Sequence, residues 1–88
     1  MDFTFSSDAW DEYLEWQGED KKVLKKINEL LKDISRNGNT GIGKPEPLKG
    51  PLSGWWSRRI DGRHRLVYAI SEDGQTCQII QCRGHYSD

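Results

Sequence analysis

Residues 44–68 read KPEPLKGPLSGWWSRRIDGRHRLVY, and this stretch decides the fold. Two segments with strand-like alternation, 55–60 and 64–71, flank the Asp-Gly pair at 61–62, which is typical of a tight hairpin turn. We therefore predict a β-hairpin here. The three prolines of the chain all lie in the glycine-rich loop before the hairpin, where they stiffen the backbone around Glu46.

The alternation within the hairpin assigns its side chains to the two faces of a sheet. Leu66, Tyr68 and Ile70 fall on one face and are predicted to meet the core. Arg65 then points to the opposite face. The same pattern turns Arg58 inward, and we expect a twist or bulge near the end of that strand to relieve its buried charge.

A last strand, residues 76–83, follows a second turn. Its side chains Ile80 and Cys82 suit the core. The alternate positions are then expected on the same side as Arg65: Gln81, Arg83 and His85. Because Cys77 and Cys82 are an odd number of residues apart, we expect them on opposite faces, as buried free thiols without a local disulfide. No metal-ligand spacing is recognisable around them.

The N-terminal half predicts one strand and two helices. Residues 2–5 alternate as a short strand does, and residues 8–17 carry aromatic and apolar side chains at helical spacing. Asp20 is suited to cap a second helix of about 16 residues, which Gly38 ends. Its apolar stripe is formed by Val23, Leu24, Ile27, Leu30, Leu31 and Ile34. Lysines occupy its other face, either as a solvated surface or as a secondary phosphate contact.

These elements assemble into an α+β fold with the order β-α-α-β-β-β. The two N-terminal helices are predicted to pack on one face of an antiparallel sheet and to leave the other face free. With 88 residues, the chain is expected to form one domain, 1–88.

Charge is distributed unevenly along the chain, although the net charge is only −1. Residues 1–20 contain seven acidic side chains and no Lys or Arg. Residues 21–36 and 44–65 each contain six Lys or Arg against two acidic side chains, a balance of +4. Cations interleaved with Trp55 and Trp56 suit a nucleic acid. No apolar run reaches the roughly 18 residues of a membrane helix and the N-terminus is not signal-like, so we expect a cytoplasmic protein.

The free face of the predicted sheet carries groups that suit cleavage of RNA without a metal or cofactor. Such cleavage requires a base for the 2′-hydroxyl, an acid for the departing 5′-oxygen and a cation for the phosphorane. Glu46 is the candidate base and His85 the candidate acid, while Arg65 offers a planar fork to phosphate. Tyr86 is placed to stack on or hydrogen-bond the substrate. The cations around Glu46 make it a weak base, so we expect a larger partner to complete the site.

Further side chains are predicted to bind RNA or its phosphates: Lys44, Lys49, Trp55 and Arg59. Each candidate also has an ordinary structural interpretation. A histidine near a chain end is often a surface residue, an arginine at a strand edge often pairs with a surface carboxylate, and a proline-flanked glutamate often belongs to a rigid connector.

Three stretches resemble the YoeB (Txe) branch of the RelE/ParE toxin superfamily. They are SSDAWDEYLEWQGEDKKVLKKINELLKD at 6–33, GKPEPLKGPLSGWWSRRIDGRHRLVYAI at 43–70 and CRGHY at 82–86. The resemblance implies a microbial-RNase-like fold and a bacterial type II toxin. It also implies a ribosome-dependent mRNA endoribonuclease that acts in the ribosomal A site, leaves a 2′,3′-cyclic phosphate and needs no metal. A YefM/Phd-like antitoxin and a homodimer are the implied protein partners.

The resemblance carries roles over to individual positions. The family's base, phosphate-stabilising arginine, acid and substrate-positioning tyrosine fall on Glu46, Arg65, His85 and Tyr86. Basic residues around the site fall on Lys49 and Arg59. This chain departs from the family at its end, because Ser87 and Asp88 follow the His-Tyr pair and add a negative charge beside the acid.

Two other functions are compatible with the same residues. One is non-enzymatic inhibition of DNA gyrase, as in ParE relatives on the same fold, which requires neither a terminal His-Tyr pair nor a braced glutamate. The other is a binding module whose basic face serves mainly to hold a disordered antitoxin segment.

Overall fold

A computed structural model describes residues 1–85 of the chain. Its helices and strands follow one another in the order β1 (Asp2–Phe5), α1 (Ser7–Glu19), α2 (Lys21–Asn37), β2 (Glu46–Pro47), β3 (Trp56–Arg59), β4 (Arg65–Ile70) and β5 (Thr76–Gln81). A short 3₁₀ turn, Gly50–Leu52, lies between β2 and β3. The predicted α+β class and the order of the helices and main strands are confirmed.

The strands form one five-stranded sheet in the order β1-β5-β4-β3-β2. The predicted meander of β3, β4 and β5 is antiparallel, as expected. At the edges, β1 pairs in parallel with β5 and β2 pairs antiparallel with β3, so the sheet is mixed and the prediction of a wholly antiparallel sheet was wrong at β1. The two-residue strand β2 lies in the stretch predicted to be loop, since two residues are too few to show alternation.

Both helices begin at the capping residues that their sequence contains. The Ser6 side chain accepts the N–H of Ala9, and the Asp20 side chain accepts the N–H groups of Lys22 and Val23. Gly38, with φ of 65°, follows the last turn of α2 as predicted. Helix α1 continues through Gly18 to Glu19, beyond the predicted end. Neither helix in residues 1–85 is long and apolar enough to cross a membrane.

The core lies between the helices and one face of the sheet. Leu66 and Tyr68 are fully buried there, and Ile70 packs against them with part of its surface exposed, so the predicted inward face of β4 is confirmed. The helices contribute apolar side chains to the same cluster, above all Ile27, Leu30 and Ile34 of α2. This packing places the other face of the sheet away from the helices.

A β-bulge between β4 and β5 changes which side chains of β5 are buried. Val67 pairs with Gln81 but Tyr68 pairs with Ile79, so one residue of β5, Ile80, is extra. Ile79 therefore reaches the core and Ile80 does not. The prediction that Ile80 is a core residue was wrong for this reason.

The same bulge places both cysteines in one core cluster, so the expectation of opposite faces was also wrong. Cys77 and Cys82 are nevertheless buried free thiols, as predicted. Burial raises the pKa of each thiol to about 12, which makes both unreactive near neutral pH.

The buried charge of Arg58 is satisfied without any bulge in β3, contrary to prediction. Its guanidinium pairs with Asp33 of α2, and its Nε donates to the Tyr68 hydroxyl at 3.1 Å. The remaining donors reach three backbone carbonyls of the loop after α2, those of Gly38, Thr40 and Ile42. All five N–H donors of a guanidinium are thereby used.

Candidate active site

The strand pairing brings predicted site residues from three strands to one face of the sheet. Glu46 is paired with Ser57, Ser57 with Val67, and Val67 with Gln81, so their side chains form a row across four strands. The adjacent row pairs Arg59 with Arg65. Both rows lie on the face turned away from the helices. The sheet therefore brings Glu46, Arg59 and Arg65 together, as predicted.

The distance between Glu46 and Arg65 follows from sheet geometry. Neighbouring strands lie about 4.8 Å apart, so the backbones of Glu46 and Val67, two strands apart, are separated by about 10 Å. Arg65 lies two residues along β4 from Val67, which adds an offset of about 7 Å.

The prediction that this face is free is wrong at its centre. Val67 is fully buried, Ser57 is 2% exposed and Arg65 is 9% exposed. Glu46 and Arg59, towards the β2 edge, are exposed. The candidate site is therefore a partly covered depression, with a buried cation at its centre.

The loop that carries Glu46, here called the Glu46 loop (residues 38–47), is anchored from inside the protein. Besides its three carbonyl contacts with Arg58, its Ile42 N–H donates to the Asp33 carboxylate at 3.1 Å. Gly43 lies against α2 and β3, and its carbonyl accepts the N–H of Arg59 at 2.6 Å. The hydrogen bond from Arg58 holds the pKa of Asp33 below its usual value, although partial burial opposes this. Glu46 thus stands on a stiff support.

Arg65 is held by the backbone of the hairpin turn. Its Nη1 donates to the carbonyl oxygens of Asp61 and His64, at 2.8 and 3.1 Å. Within residues 1–85, no carboxylate forms an ion pair with this guanidinium. The Asp61 carboxylate instead accepts the N–H groups of Arg63 and His64, which hold its pKa below the usual value even though burial acts in the opposite direction.

The residues after β5, here called the His85 segment (residues 82–85), are held by α1 and by the start of β4. The carboxylate of Glu12 accepts the N–H of Cys82 at 2.8 Å, and the indole N–H of Trp16 donates to the Cys82 carbonyl at 2.9 Å. Gly84 is bonded at both polar groups: its N–H donates to Nδ1 of His64, and its carbonyl accepts the N–H of Arg65. His85 is exposed and follows directly.

Arg83 does not project with Arg65, so that prediction was wrong. Its guanidinium pairs with Glu15 and Glu19 of α1 and lies over the Trp16 ring, 4.5 Å from the ring centroid. The simple alternation ends because β5 stops at Gln81 and the chain bends after it. Gln81, paired with Val67, does share the face of Arg65.

The remaining predicted residues lie on or next to β2 and β3 in the chain, with one exception. Lys44, Lys49 and Arg59 are exposed, and Trp55 is half-buried. A hydrogen bond from the Leu48 N–H to the Trp55 carbonyl extends the pairing of β2 and β3, which places Trp55 on the side of Glu46. Tyr86 lies outside the described residues.

Sequence reasoning missed the residues that hold the two supports in place. Asp33 and Arg58 anchor the Glu46 loop, while Glu12, Trp16 and His64 anchor the His85 segment. The inward position of Arg58 was a usable signal, since a buried guanidinium requires several acceptors. The other contacts join residues up to 70 positions apart in the chain and have no local signal.

Comparison with known structures defines the class of protein first. The YoeB/ParE toxin from Agrobacterium tumefaciens superposes with a TM-score of 0.94 at 46% identity, covering 98% of this chain and all of that one. Staphylococcus aureus YoeB has been seen in a heterotetrameric complex with YefM (TM-score 0.89) and as a dimer (TM-score 0.90). Each S. aureus chain is 50% identical to this chain, and each superposition covers 98% of both chains. The fold is that of a small bacterial toxin.

Sequence comparison then defines the family. Toxin YoeB of Escherichia coli K12 is 55% identical over 86 residues, which span 98% of this chain and all of that protein. The model of the YoeB-like toxins of bacterial type II toxin–antitoxin systems matches residues 5–86. The chain belongs to this family, and the resemblance noted in its sequence is confirmed.

Proposed function

We propose that this chain is a ribosome-dependent mRNA endoribonuclease that inhibits translation. The observation that carries the proposal is the state of Arg65, a buried guanidinium whose partners within residues 1–85 are neutral carbonyls. The Asp61 carboxylate interacts with this guanidinium electrostatically but forms no ion pair with it. A buried cation with no paired negative charge is costly. A substrate phosphate on the same face supplies that charge, and Glu46 and the His85 segment lie on either side of it.

The proposed reaction uses three side chains and balances its protons without a metal. Glu46 removes the proton of the 2′-hydroxyl, and the 2′-oxygen attacks the adjacent phosphorus. Arg65 stabilises the charge of the phosphorane. The bond from phosphorus to the 5′-oxygen breaks, and His85 donates a proton to that oxygen. The products are a 2′,3′-cyclic phosphate and a free 5′-hydroxyl.

Surrounding residues would bind and orient the RNA. Lys44, Lys49 and Arg59 are exposed cations on or next to β2 and β3 and suit backbone phosphates. Trp55 offers a ring on which a base can stack, and Tyr86 takes the substrate-positioning role. The ribosome is proposed to complete the site by presenting the mRNA of the A site in line. This activity belongs to the cytoplasm.

The protein partners are proposed from the relatives. S. aureus YoeB binds YefM and also forms a dimer, so we infer a YefM-like antitoxin and a homodimer for this chain. An antitoxin segment that carries carboxylates would be attracted to the exposed cations of the depression. Substituting Lys44, Lys49 and Arg59 by Gln should therefore weaken antitoxin binding; equal affinity of that variant would contradict this docking position.

The decisive experiment is mRNA cleavage in a purified translation system, beside the same RNA without ribosomes. We expect cleavage only with ribosomes and a cyclic phosphate at the new 3′ end. The double variant Glu46→Gln, His85→Ala should lose cleavage, whereas Glu72→Gln, an exposed carboxylate in the turn before β5, should retain it. Full growth inhibition by the double variant at equal expression would overturn the catalytic account. Intact mRNA with DNA-damage signalling would instead indicate a gyrase inhibitor.

A further inference from the structure

We propose that His64 is a positioning residue for this cleavage: its Nδ1 holds the peptide N–H of Gly84 and thereby sets the place of His85. The inference rests on the proposed function, since His85 acts as an acid only if the chain cleaves RNA. Nδ1 of His64 lies 2.8 Å from the nitrogen of Gly84.

Both polar groups of Gly84 are bonded to consecutive residues of the hairpin. Its N–H donates to His64, and its carbonyl accepts the N–H of Arg65 at 3.0 Å. The peptide of Gly84 is therefore fixed in two directions, one residue before His85. The Gly84 carbonyl contact places the backbone of His85 next to that of Arg65, whose side chain is proposed to bind the phosphate that His85 must reach.

His64 is itself held in place at its ring and at its backbone. Its ring packs edge-on against Trp16, with centroids 4.8 Å apart and an interplanar angle of 77°. Its backbone N–H donates to the Asp61 carboxylate at 2.7 Å. Since Trp16 also donates to the Cys82 carbonyl, one indole orders both the imidazole and the segment that the imidazole holds.

The contact requires one protonation state. A nitrogen that accepts a hydrogen bond carries no proton, so His64 must be neutral, with its proton on Nε2. A second proton, on Nδ1, would place an N–H donor opposite the N–H of Gly84, and the hydrogen bond to Gly84 would be lost. Charged or titratable groups on the elements that contact His64 include Glu12 and Glu15 of α1, Asp61 of the turn, Arg65 of β4, and Arg83 and His85 of the segment.

The position of His64 predicts a specific kinetic effect. It lies at the hairpin turn, apart from the exposed cations proposed to bind RNA. Loss of its acceptor should misplace the acid without removing a substrate contact. The turnover number should then fall about tenfold to 100-fold, with KM unchanged.

Two variants of the full chain separate positioning from mere packing. His64→Leu keeps apolar contact with Trp16 but removes the acceptor. His64→Asn places an oxygen where Nδ1 stands, and that oxygen takes no proton. We expect the Leu variant to show the loss of turnover and about tenfold faster hydrogen exchange of the Gly84 amide. The Asn variant should restore both, and other core amides should exchange as in the wild type.

A pH profile of ribosome-dependent cleavage supplies the second measurement. Because a proton on Nδ1 would remove the acceptor for the Gly84 N–H, acidification should lower wild-type turnover, whereas the His64→Asn protein should lack that part of the acidic limb. This comparison needs no Leu variant, so it stands even if His64→Leu fails to fold. Identical acidic limbs, or unchanged Gly84 exchange in a folded His64→Leu protein, would overturn the proposal.

The exchange measurement also keeps this inference separate from the proposed function. A wild type that does not cleave with ribosomes would refute the endoribonuclease and, with it, the kinetic role of His64. If cleavage depends on Glu46 and His85 but is equal in wild type, His64→Leu and His64→Asn, the positioning role alone is wrong.

Discussion

The Glu46 loop and the His85 segment approach the same depression but are held by different kinds of contact. The Glu46 loop is held from the interior by Arg58, whose side chain is fully buried and whose five donors are all used. The His85 segment is held from the side by α1 and by an imidazole. One of its supports, the ion pair of Arg83 with Glu15, is 34% and 52% exposed.

The difference indicates how the two supports respond to change. A buried guanidinium with several carbonyl partners is expensive to disrupt, so the Glu46 loop should open only with a large part of the fold. Partly exposed contacts are weak one at a time and sensitive to salt and pH. We therefore expect the base to be fixed and the acid to be adjustable, and the following predictions test that contrast.

The largest effect is expected from Arg58→Met, which removes the anchor of the Glu46 loop and leaves its carbonyls without donors. The free energy of unfolding should fall by about 3–5 kcal/mol, measured by chemical denaturation. Arg59→Met, at the next and exposed position of β3, is the control and should stay within about 0.5 kcal/mol of the wild type. Equal losses in the two variants would show that Arg58 is no special anchor.

The next effect is expected from Asp33→Asn, which leaves the buried guanidinium without its counter-charge. The pKa of Asp33 is lowered in the folded state, chiefly by the hydrogen bond from Arg58. Its stabilising contribution is thus present above the ordinary value of 3.8 and is lost as pH falls through the folded value. The variant should be less stable than the wild type at neutral pH, with the difference narrowing in acid. A difference that does not change with pH would contradict this origin.

Gly43→Ala tests the packing of the Glu46 loop. Gly43 has a φ of 80°, and an added Cβ would lie 2.8 Å from Cδ2 of Leu30 and 3.1 Å from the carbonyl oxygen of Arg59. We expect a loss of about 1–3 kcal/mol in unfolding free energy. Gly62→Ala is the matched control, because no atom lies within 4 Å of its added Cβ. Similar thermal midpoints for both variants would argue against tight packing at Gly43.

A smaller effect is expected from Arg83→Gln on the side of the His85 segment. Its ion pairs are partly exposed, so the denaturation midpoint should change little and the change should shrink at high salt. Arg63→Gln serves as the control, since within residues 1–85 the Arg63 side chain forms no ion pair. A large, salt-independent loss for Arg83→Gln would remove the contrast between the two supports.

The smallest effect is expected from Glu12→Gln and has the opposite pH sign to that of Asp33. Burial raises the pKa of Glu12 above 4.5, although the hydrogen bond from Cys82 opposes this. Its favourable contribution is therefore present below 4.5 and is lost as pH rises through the higher folded value. Glutamine keeps the acceptor for the Cys82 N–H, so the variant should gain stability relative to the wild type as the pH rises through the folded-state pKa of Glu12. The check is to record denaturation curves of the variant and the wild type at one pH below and one pH above this pKa.

Much of the fold was predictable because its signals are local. Asp20 and Gly38 mark the bounds of α2 through their own capping geometry, and the alternation around Leu66 and Tyr68 identifies the inward face of β4. Predictions that counted residues along β5 failed after one irregularity. Because of the single bulge at Ile80, the residues of β5 that precede it face the side opposite to the one assigned.

The sequence predicted which residues share the face of the candidate site better than it predicted what surrounds them. The hairpin sets the register of β3 and β4 and places Arg59 and Arg65 on one face, and β2, which was predicted to be loop, adds Glu46 to that face. The burial of Arg65 and the turn of Arg83 towards α1 depend on contacts between distant parts of the chain. No local pattern encodes such contacts.

The sequence by itself determined the helices, the hairpin, the chemical groups of the candidate site and the family, because capping, alternation and motif identity reside in neighbouring residues. Only the tertiary structure decided how those groups are supported. Arg58 satisfies its charge through Asp33 and three loop carbonyls, and His64 meets Gly84 across 20 positions of the chain. A buried polar group must find its partners wherever packing brings them, and packing is a property of the whole fold.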